Sequence, residues 1–207
     1  MPLILPGNVA SATAAADVVT NSCRFNEADS AYMHKTPSGS PTSARIATVS
    51  FWFKLGNINN NLRFFSVHPS GDEAINWKIL LRDANGRLEL QQDDGSSGND
   101  YELRTNMLFR DPSAWYHLVC AFDTTQGVAA NRIKVYVNGT QITSWSSETY
   151  PDQNLDLLLG GTTRHDVGRD TGNALYYDGY MAEFVYIDGS QLAASSFGEF
   201  DEDSPTI

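Results

Sequence analysis

Residues 115–142 read WYHLVCAFDTTQGVAANRIKVYVNGTQI and contain two strand patterns followed by a tight hairpin. Residues 115–123 are rich in aromatic and branched side chains and lack Gly and Pro, which predicts a strand. After a polar connection, residues 132–137 alternate apolar and polar side chains, as a half-buried strand does. Asn138-Gly139 then predicts a type I′ turn, because both central residues of that turn need a positive φ. This order indicates an antiparallel sheet.

Strand signals recur at short intervals through the rest of the chain. Several segments each suit a short strand, and turns with Gly, Pro, Asn or Asp separate them. These segments are 46–54, 62–67, 75–81, 88–92, 155–159 and 174–187. The 207 residues include 41% hydrophobic side chains and 16 Gly, which suits a core between two sheets better than a helical bundle. We therefore predict an all-β antiparallel β-sandwich.

Composition divides the chain into three parts. Residues 1–21 are poor in charge and show no strand or helix period, which predicts an N-terminal arm that anchors the domain or contacts another subunit. Residues 22–200 are predicted to form the sandwich. Residues 201–207 form an acidic end. Cys120 suits a buried thiol within a strand, and its pairing with Cys23 is left open by the sequence.

The chain is acidic, with a formal net charge of −11 and a pI of about 4.6. Affinity for nucleic acid comes mainly from Lys and Arg side chains that neutralise phosphates, and no cluster of these residues occurs. No apolar run reaches the length of a membrane span. We therefore expect neither a nucleic-acid partner nor a membrane partner, whereas the charge is compatible with solubility, cation binding and neutral sugars.

Several segments match the landmarks of a known family in order and spacing. They are Trp115–Val119 with Asp123, Lys134–Gly139, Val167-Gly168 and Tyr177–Phe184. Together they resemble the laminin G-like domain, which implies a concanavalin A-like antiparallel jelly-roll β-sandwich. Further segments resemble the form of this domain that is found in bacteriophage tail-fibre and capsid-decorating virion proteins. These segments are Cys23–Asn26, Ala31–Met33, Thr36-Pro37, Phe51–Lys54, Gly179–Glu183, Ile187–Gly189 and Ser196–Glu202.

The resemblance to virion proteins implies a non-enzymatic structural role. The chain would form a fibre or decoration domain that is exposed on the virion and aids attachment to the host surface. The resemblance also implies a homo-oligomer and contacts with other virion proteins through the N-terminal arm. It further implies that the acidic end, residues 201–207, either leads into a longer chain or closes a shortened member of this group. The alternative function is a carbohydrate-binding module that recognises host surface glycans, with or without calcium.

Carbohydrate binding requires exposed aromatic side chains beside polar planar groups. Trp145 and Tyr150 lie in the most loop-like contexts, so we expect sugar contacts there first. Trp77 and Tyr101 are further candidates, although the core of a sandwich also takes up aromatic side chains.

Calcium is the only cofactor that the resemblance suggests, because laminin G-like domains often hold Ca²⁺ with Asp side chains on a loop. Candidate ligands are Asp93, Asp94, Asn99 and Asp100 in one loop, and Asp152 with Asp156 in another. Neither group matches the spacing of an EF-hand, and an acidic turn without metal is the alternative.

Catalysis has little support in the sequence. Glucanases of this fold place acids at alternate strand positions, so that their carboxylates approach the sugar from one face. The nearest match is Glu199–Asp203, where a solvated acidic tail explains the same residues. No G-x-S-x-G elbow accompanies the four His, and we expect His117 to be a packed, hydrogen-bonded histidine. We therefore expect no catalytic residue and no enzymatic activity.

Overall fold

The computed structural model describes residues 21–58, 61–69, 74–82, 85–96, 98, 100–170 and 175–198. Its strands are β1 (Cys23–Phe25), β2 (Met33–Lys35), β3 (Ile46–Leu55), β4 (Leu62–Val67), β5 (Ile75–Arg82), β6 (Arg87–Asp94), β7 (Tyr101–Leu108), β8 (Tyr116–Asp123), β9 (Ile133–Val137), β10 (Thr140–Gln141), β11 (Trp145–Thr149), β12 (His165–Val167), β13 (Arg169–Asp170), β14 (Leu175–Tyr176) and β15 (Gly179–Asp188). Short 3₁₀ turns cover Glu27–Asp29, Ala129–Asn131 and Ala194–Ser196. The predicted arm, apart from Asn21, and the predicted acidic end lie outside the described residues. No helix in the described ranges is long and apolar enough to cross a membrane.

Two antiparallel sheets form the sandwich. The six-stranded sheet has the order β1-β15-β3-β8-β9-β10, and the seven-stranded sheet has the order β11-β7-β6-β5-β4-β12-β2. β13 and β14 form a separate two-stranded ribbon. This arrangement confirms the predicted all-β, antiparallel jelly-roll β-sandwich.

The stretch from β8 to β10 has the predicted hairpin geometry. Asn138 and Gly139 adopt φ angles of 47° and 73°, as a type I′ turn requires. The side-chain oxygen of Asn138 also accepts a hydrogen bond from the backbone N–H of His117 at 2.8 Å, which ties the turn to the start of β8. β8 lies inside the six-stranded sheet, where Cys120 pairs with Val49 on one side and Val135 on the other.

Aromatic side chains from both sheets fill the core. The ring centres of Phe53 and Phe64 lie 4.6 Å apart, and those of Trp77 and Phe122 lie 5.6 Å apart. Each contact joins a strand of one sheet to a strand of the other. Fully burying one such side chain contributes roughly 2–3 kcal/mol, so these contacts fix how the sheets pack.

Both cysteines are free thiols. Cys120 is buried in the core, and burial raises the pKa of its thiol, whereas Cys23 is exposed. The two residues therefore form no disulfide with each other.

Residues 155–159 do not form the predicted strand. Leu157 and Leu159 pack into the core from a connecting segment, and the backbone N–H of Leu158 donates to the side chain of Gln92 at 2.9 Å. A short apolar run indicates that a segment is buried, but it does not show that a neighbouring strand is available for pairing. The prediction of a strand at residues 155–159 is wrong for this reason.

The β13–β14 ribbon crosses the outer face of the seven-stranded sheet. The chain leaves β12 at Gly168, which has a φ of 78° and lies against the ring of Phe25. The backbone N–H of Gly168 donates to the carbonyl of Phe64 at 2.8 Å, and the hydroxyl of Ser66 donates to the carbonyl of Arg169 at 2.7 Å. These bonds hold the ribbon on β4.

A buried carboxylate anchors the ribbon further. Asp170 lies 2.8 Å from the guanidinium of Arg63 and 3.1 Å from the ammonium of Lys78. Burial alone would raise the pKa of Asp170, but the hydrogen bond from His68 and the neighbouring cations hold that pKa well below its usual range. The ribbon is therefore fixed in place against β4 and β5.

Candidate functional site

Trp77 and Tyr101 lie in the core and are 0% exposed. The ring of Trp77 packs edge-on against Phe65 and Phe122, at centre distances of 5.5 and 5.6 Å. The prediction that these two residues contact sugar is therefore wrong for the folded domain. Their side chains point from β5 and β7 toward the facing sheet, so a ligand in solvent does not contact them.

Trp145 and Tyr150 lie together at the β11 edge of the seven-stranded sheet. Both are half-buried and pack against the core. The pKa of Tyr150 is raised by burial and then by the charge of Glu148. The structure brings the two predicted aromatics together, and sugar contact at this edge stays a prediction.

The acidic loop between β6 and β7 is stabilised by its own hydrogen bonds. Asp93 and Asp94 each accept a hydrogen bond from a backbone N–H two residues ahead, at 2.8 and 2.9 Å. Asp100 accepts one from Gln92 at 3.1 Å, and burial raises the pKa of Asp100. Asn99 lies outside the described residues. Across the described ranges, no group of three His, Cys, Asp or Glu side chains could hold a metal ion, and calcium stays a prediction.

His117 is a packed, hydrogen-bonded histidine, as predicted. It is 3% exposed, and its ring stacks on Trp52 with centres 4.7 Å apart. Its Nε2 lies 2.9 Å from the hydroxyl of Ser50. Burial lowers the pKa of His117 to about 4, so the ring is neutral at neutral pH.

A different group of side chains meets at the β2 edge of the seven-stranded sheet. Tyr32 immediately precedes β2, and Arg164 immediately precedes β12, which pairs with β2. Arg169 and Tyr176 face each other across the β13–β14 ribbon. We call these four residues the Tyr32 cluster.

The tyrosine rings of the Tyr32 cluster hold its two arginines. The Cζ of Arg169 lies 4.7 Å from the ring centre of Tyr32 and 5.6 Å from that of Tyr176. The Cζ of Arg164 lies 5.3 Å from the ring centre of Tyr32. Each such cation–π contact contributes about 0.5–1 kcal/mol at an exposed site. Tyr32 is 37% exposed, so the cluster faces solvent.

The two arginines differ in their ion pairing. Arg164 binds the buried carboxylate of Asp166, with 2.8 Å between Nε and Oδ1. The Nε of the half-buried Arg169 is buried without a hydrogen-bond partner, and no carboxylate in the described part of the chain pairs with this guanidinium. Arg169 therefore forms no ion pair in the described part of the chain, on a protein whose formal net charge is −11.

The sequence contains no local pattern that predicts the Tyr32 cluster. Its members come from three separate segments, which the β2–β12 pairing and the ribbon bring together. The nearest signal is the position of Arg164 and Arg169 on either side of the Val167-Gly168 landmark. Without the strand order, neither arginine could be placed beside Tyr32.

Comparison with known proteins identifies the family. A laminin G family model, described as the concanavalin A-like lectin/glucanases superfamily, matches residues 28–198. The chain belongs to this family. The match confirms the predicted laminin G-like, concanavalin A-like fold. A search of curated proteins finds no significant match.

Similar solved structures share this fold. The CBM40 module of the Ruminococcus gnavus IT-sialidase, bound to α2,3-sialyllactose, is 14% identical over 79% of this chain and 95% of that chain, with a TM-score of 0.54. Domain 4 of the Geobacillus stearothermophilus arabinanase AbnA, in complex with arabinotriose, is 16% identical over 78% and 77%, with a TM-score of 0.52. Domains LG4-5 of the mouse laminin α1 chain are 14% identical over 95% and 48%, with a TM-score of 0.55. At these identities, the similarity establishes the fold alone.

Proposed function

We propose that this chain is a non-enzymatic carbohydrate-binding domain and that the Tyr32 cluster contacts the sugar. The observation that carries the proposal is the exposed ring of Tyr32 beside the guanidinium donors of Arg164 and Arg169. Sugars offer apolar C–H faces together with hydroxyl groups, which an aromatic ring and planar donors complement. Two of the three similar solved structures described above hold an oligosaccharide, which supports the proposal.

A glycan array followed by affinity measurements tests this function. We expect Tyr32→Ala to weaken binding of the selected glycan about tenfold or more, because it removes the ring that also holds both arginines. Tyr180→Ala is the matched control, since Tyr180 is 39% exposed and has the Cζ of Arg24 5.3 Å from its ring centre, but lies on the other sheet. Binding to no glycan, or an equal loss in both variants, would contradict the proposal.

The same array tests the predicted calcium site. Binding is measured with calcium and with a chelator, and again in a variant that carries Asp93→Asn and Asp94→Asn. If a cation at this loop participates, chelation and the double variant reduce affinity to the same extent. Unchanged affinity in both cases would remove calcium from the binding mechanism.

The absence of catalysis has a separate test. We expect incubation with host glycans to release no reducing sugar. Release that disappears in Glu199→Gln would overturn the non-enzymatic proposal and identify Glu199, which lies outside the described residues, as catalytic.

We further propose that the domain is displayed on a bacteriophage particle as part of a homo-oligomer. The supporting observation is the resemblance of several segments, among them Phe51–Lys54 and Ser196–Glu202, to virion proteins. In this proposal, residues 1–21 contact other virion proteins. Immunolabelling of purified particles should reveal the chain on their surface, and labelling confined to the host cytosol would contradict the location.

A further inference from the structure

We infer that Arg169 binds an oxyanion and that the glycan recognised by the Tyr32 cluster is acidic, with a carboxylate or sulfate group that pairs with this guanidinium. The inference rests on the proposed function and specifies its ligand class. It begins with a contrast among the arginines on the outer face of the seven-stranded sheet.

Most of these arginines already have an acidic partner. Arg63 pairs with Asp170, and Arg104 pairs with Glu89, and both carboxylates are buried. A ligand anion at either position would compete with an internal carboxylate. At Arg169 no described carboxylate competes, so an oxyanion gains a charge-assisted hydrogen bond without breaking an existing ion pair.

The position of Arg169 also reduces the entropic cost of binding. A free arginine side chain loses rotamer entropy when it is immobilised. Here the rings of Tyr32 and Tyr176 already contact the guanidinium, and the carbonyl of Arg169 is bound by Ser66. Because the side chain is held before the ligand arrives, more of the interaction energy appears as affinity.

The net charge of the whole protein argues for a specific contact rather than general attraction of polyanions. A formal charge of −11 repels anions at long range, and salt screens that repulsion beyond roughly 8–10 Å. Recognition at Arg169 therefore requires direct contact, together with sugar contacts at the neighbouring ring of Tyr32. An acidic glycan supplies both groups in one molecule, whereas an acidic peptide supplies only the first.

The test compares acidic glycans with matched neutral ones. The probes are sialyllactose and lactose, tri-galacturonate and its methyl ester, and sulfated lactose, together with a polyglutamate peptide. Affinities are measured for the unmodified protein, Arg169→Gln and Arg87→Gln. Arg87 is the matched control, because its Nε is also buried without a partner and it lies on the same outer face, yet no tyrosine ring contacts it in the described part of the chain.

We expect the unmodified protein to prefer the acidic member of at least one pair, and the sulfated probe then distinguishes sulfate from carboxylate. Arg169→Gln should weaken that binding about tenfold or more and weaken the neutral member less, so that the ratio of the two affinities falls. Arg87→Gln should change neither affinity. Should Arg169→Gln fail to fold, Arg169→Lys retains the charge and should retain part of the preference.

Equal affinity for acidic and neutral glycans would overturn this inference and leave the proposed function standing. Binding to no glycan would overturn both. An equal loss in Arg87→Gln, or binding of polyglutamate as tight as that of the acidic glycans, would also contradict the assignment of Arg169.

Discussion

Ion pairing decides which arginine side chains are available to a ligand. Arg63 lies 2.8 Å from the buried carboxylate of Asp170, and separating a buried pair costs about 3–5 kcal/mol. Arg164 is likewise paired, with Asp166. Arg169 has no described acidic partner, so only this member of the Tyr32 cluster can meet a ligand charge without such a loss.

His117 makes stability depend on pH in a defined window. Burial lowers the pKa of His117 from 6.5 to about 4. Between pH 6.5 and pH 4, His117 is therefore protonated in the unfolded chain but neutral in the folded chain. Neutral His117 makes its full contribution to the free energy of unfolding above pH 6.5, and this contribution declines as the pH falls toward 4. Over this window, the unmodified protein should lose up to about 3 kcal/mol more unfolding free energy than His117→Asn.

Urea unfolding at several values between pH 7 and pH 4 measures this difference. The pKa of His165 is lowered by burial as well, but His165 is present in both proteins and cancels in the comparison. Parallel pH profiles for the two proteins would contradict the buried, neutral state of His117.

At the scale of elements, Gly168 sets the path from β12 into the ribbon. An added Cβ would lie 2.5 Å from the ring of Phe25, and the φ of 78° disfavours any other residue. Gly168→Ala should therefore destabilise the fold by about 2 kcal/mol or more. Gly39→Ala is the control, because Gly39 has nothing within 4 Å of the added Cβ. Equal melting temperatures for the two variants would refute this role of Gly168.

The sequence predicts those elements whose signal is local. The Asn138-Gly139 turn and the flanking strands β8 and β9 follow from turn chemistry and alternation, and the structure confirms them. Alternation in β5 and β7 separates two faces, but it does not say that the face with Trp77 and Tyr101 is the buried one. That information comes from the facing sheet, which no local pattern describes.

The Tyr32 cluster also could not be predicted from local sequence patterns. Its formation requires β2 to pair with β12, and these strands are far apart in the sequence. It also requires the ribbon to fold onto β4, through the hydrogen bond from Ser66 to the carbonyl of Arg169. Pairing between distant strands depends on the whole fold, so the cluster could not be predicted residue by residue.

At the scale of the whole molecule, one continuous core joins the two sheets. Phe53 of β3 contacts Phe64 of β4, and Trp77 of β5 contacts Phe122 of β8. Neither sheet can keep its buried face without the other, so we expect a single cooperative transition. Tryptophan fluorescence and far-UV circular dichroism should give the same denaturation midpoint. Two separate midpoints would show that the sheets unfold independently.

The most direct test of the proposed binding surface is a two-dimensional NMR titration with the glycan that the array selects. We expect the largest changes in backbone amide shifts at Tyr32, Arg164, Arg169 and Tyr176. Changes centred instead on Trp145 and Tyr150, at the opposite edge of the seven-stranded sheet, would contradict the assignment of sugar binding to the Tyr32 cluster.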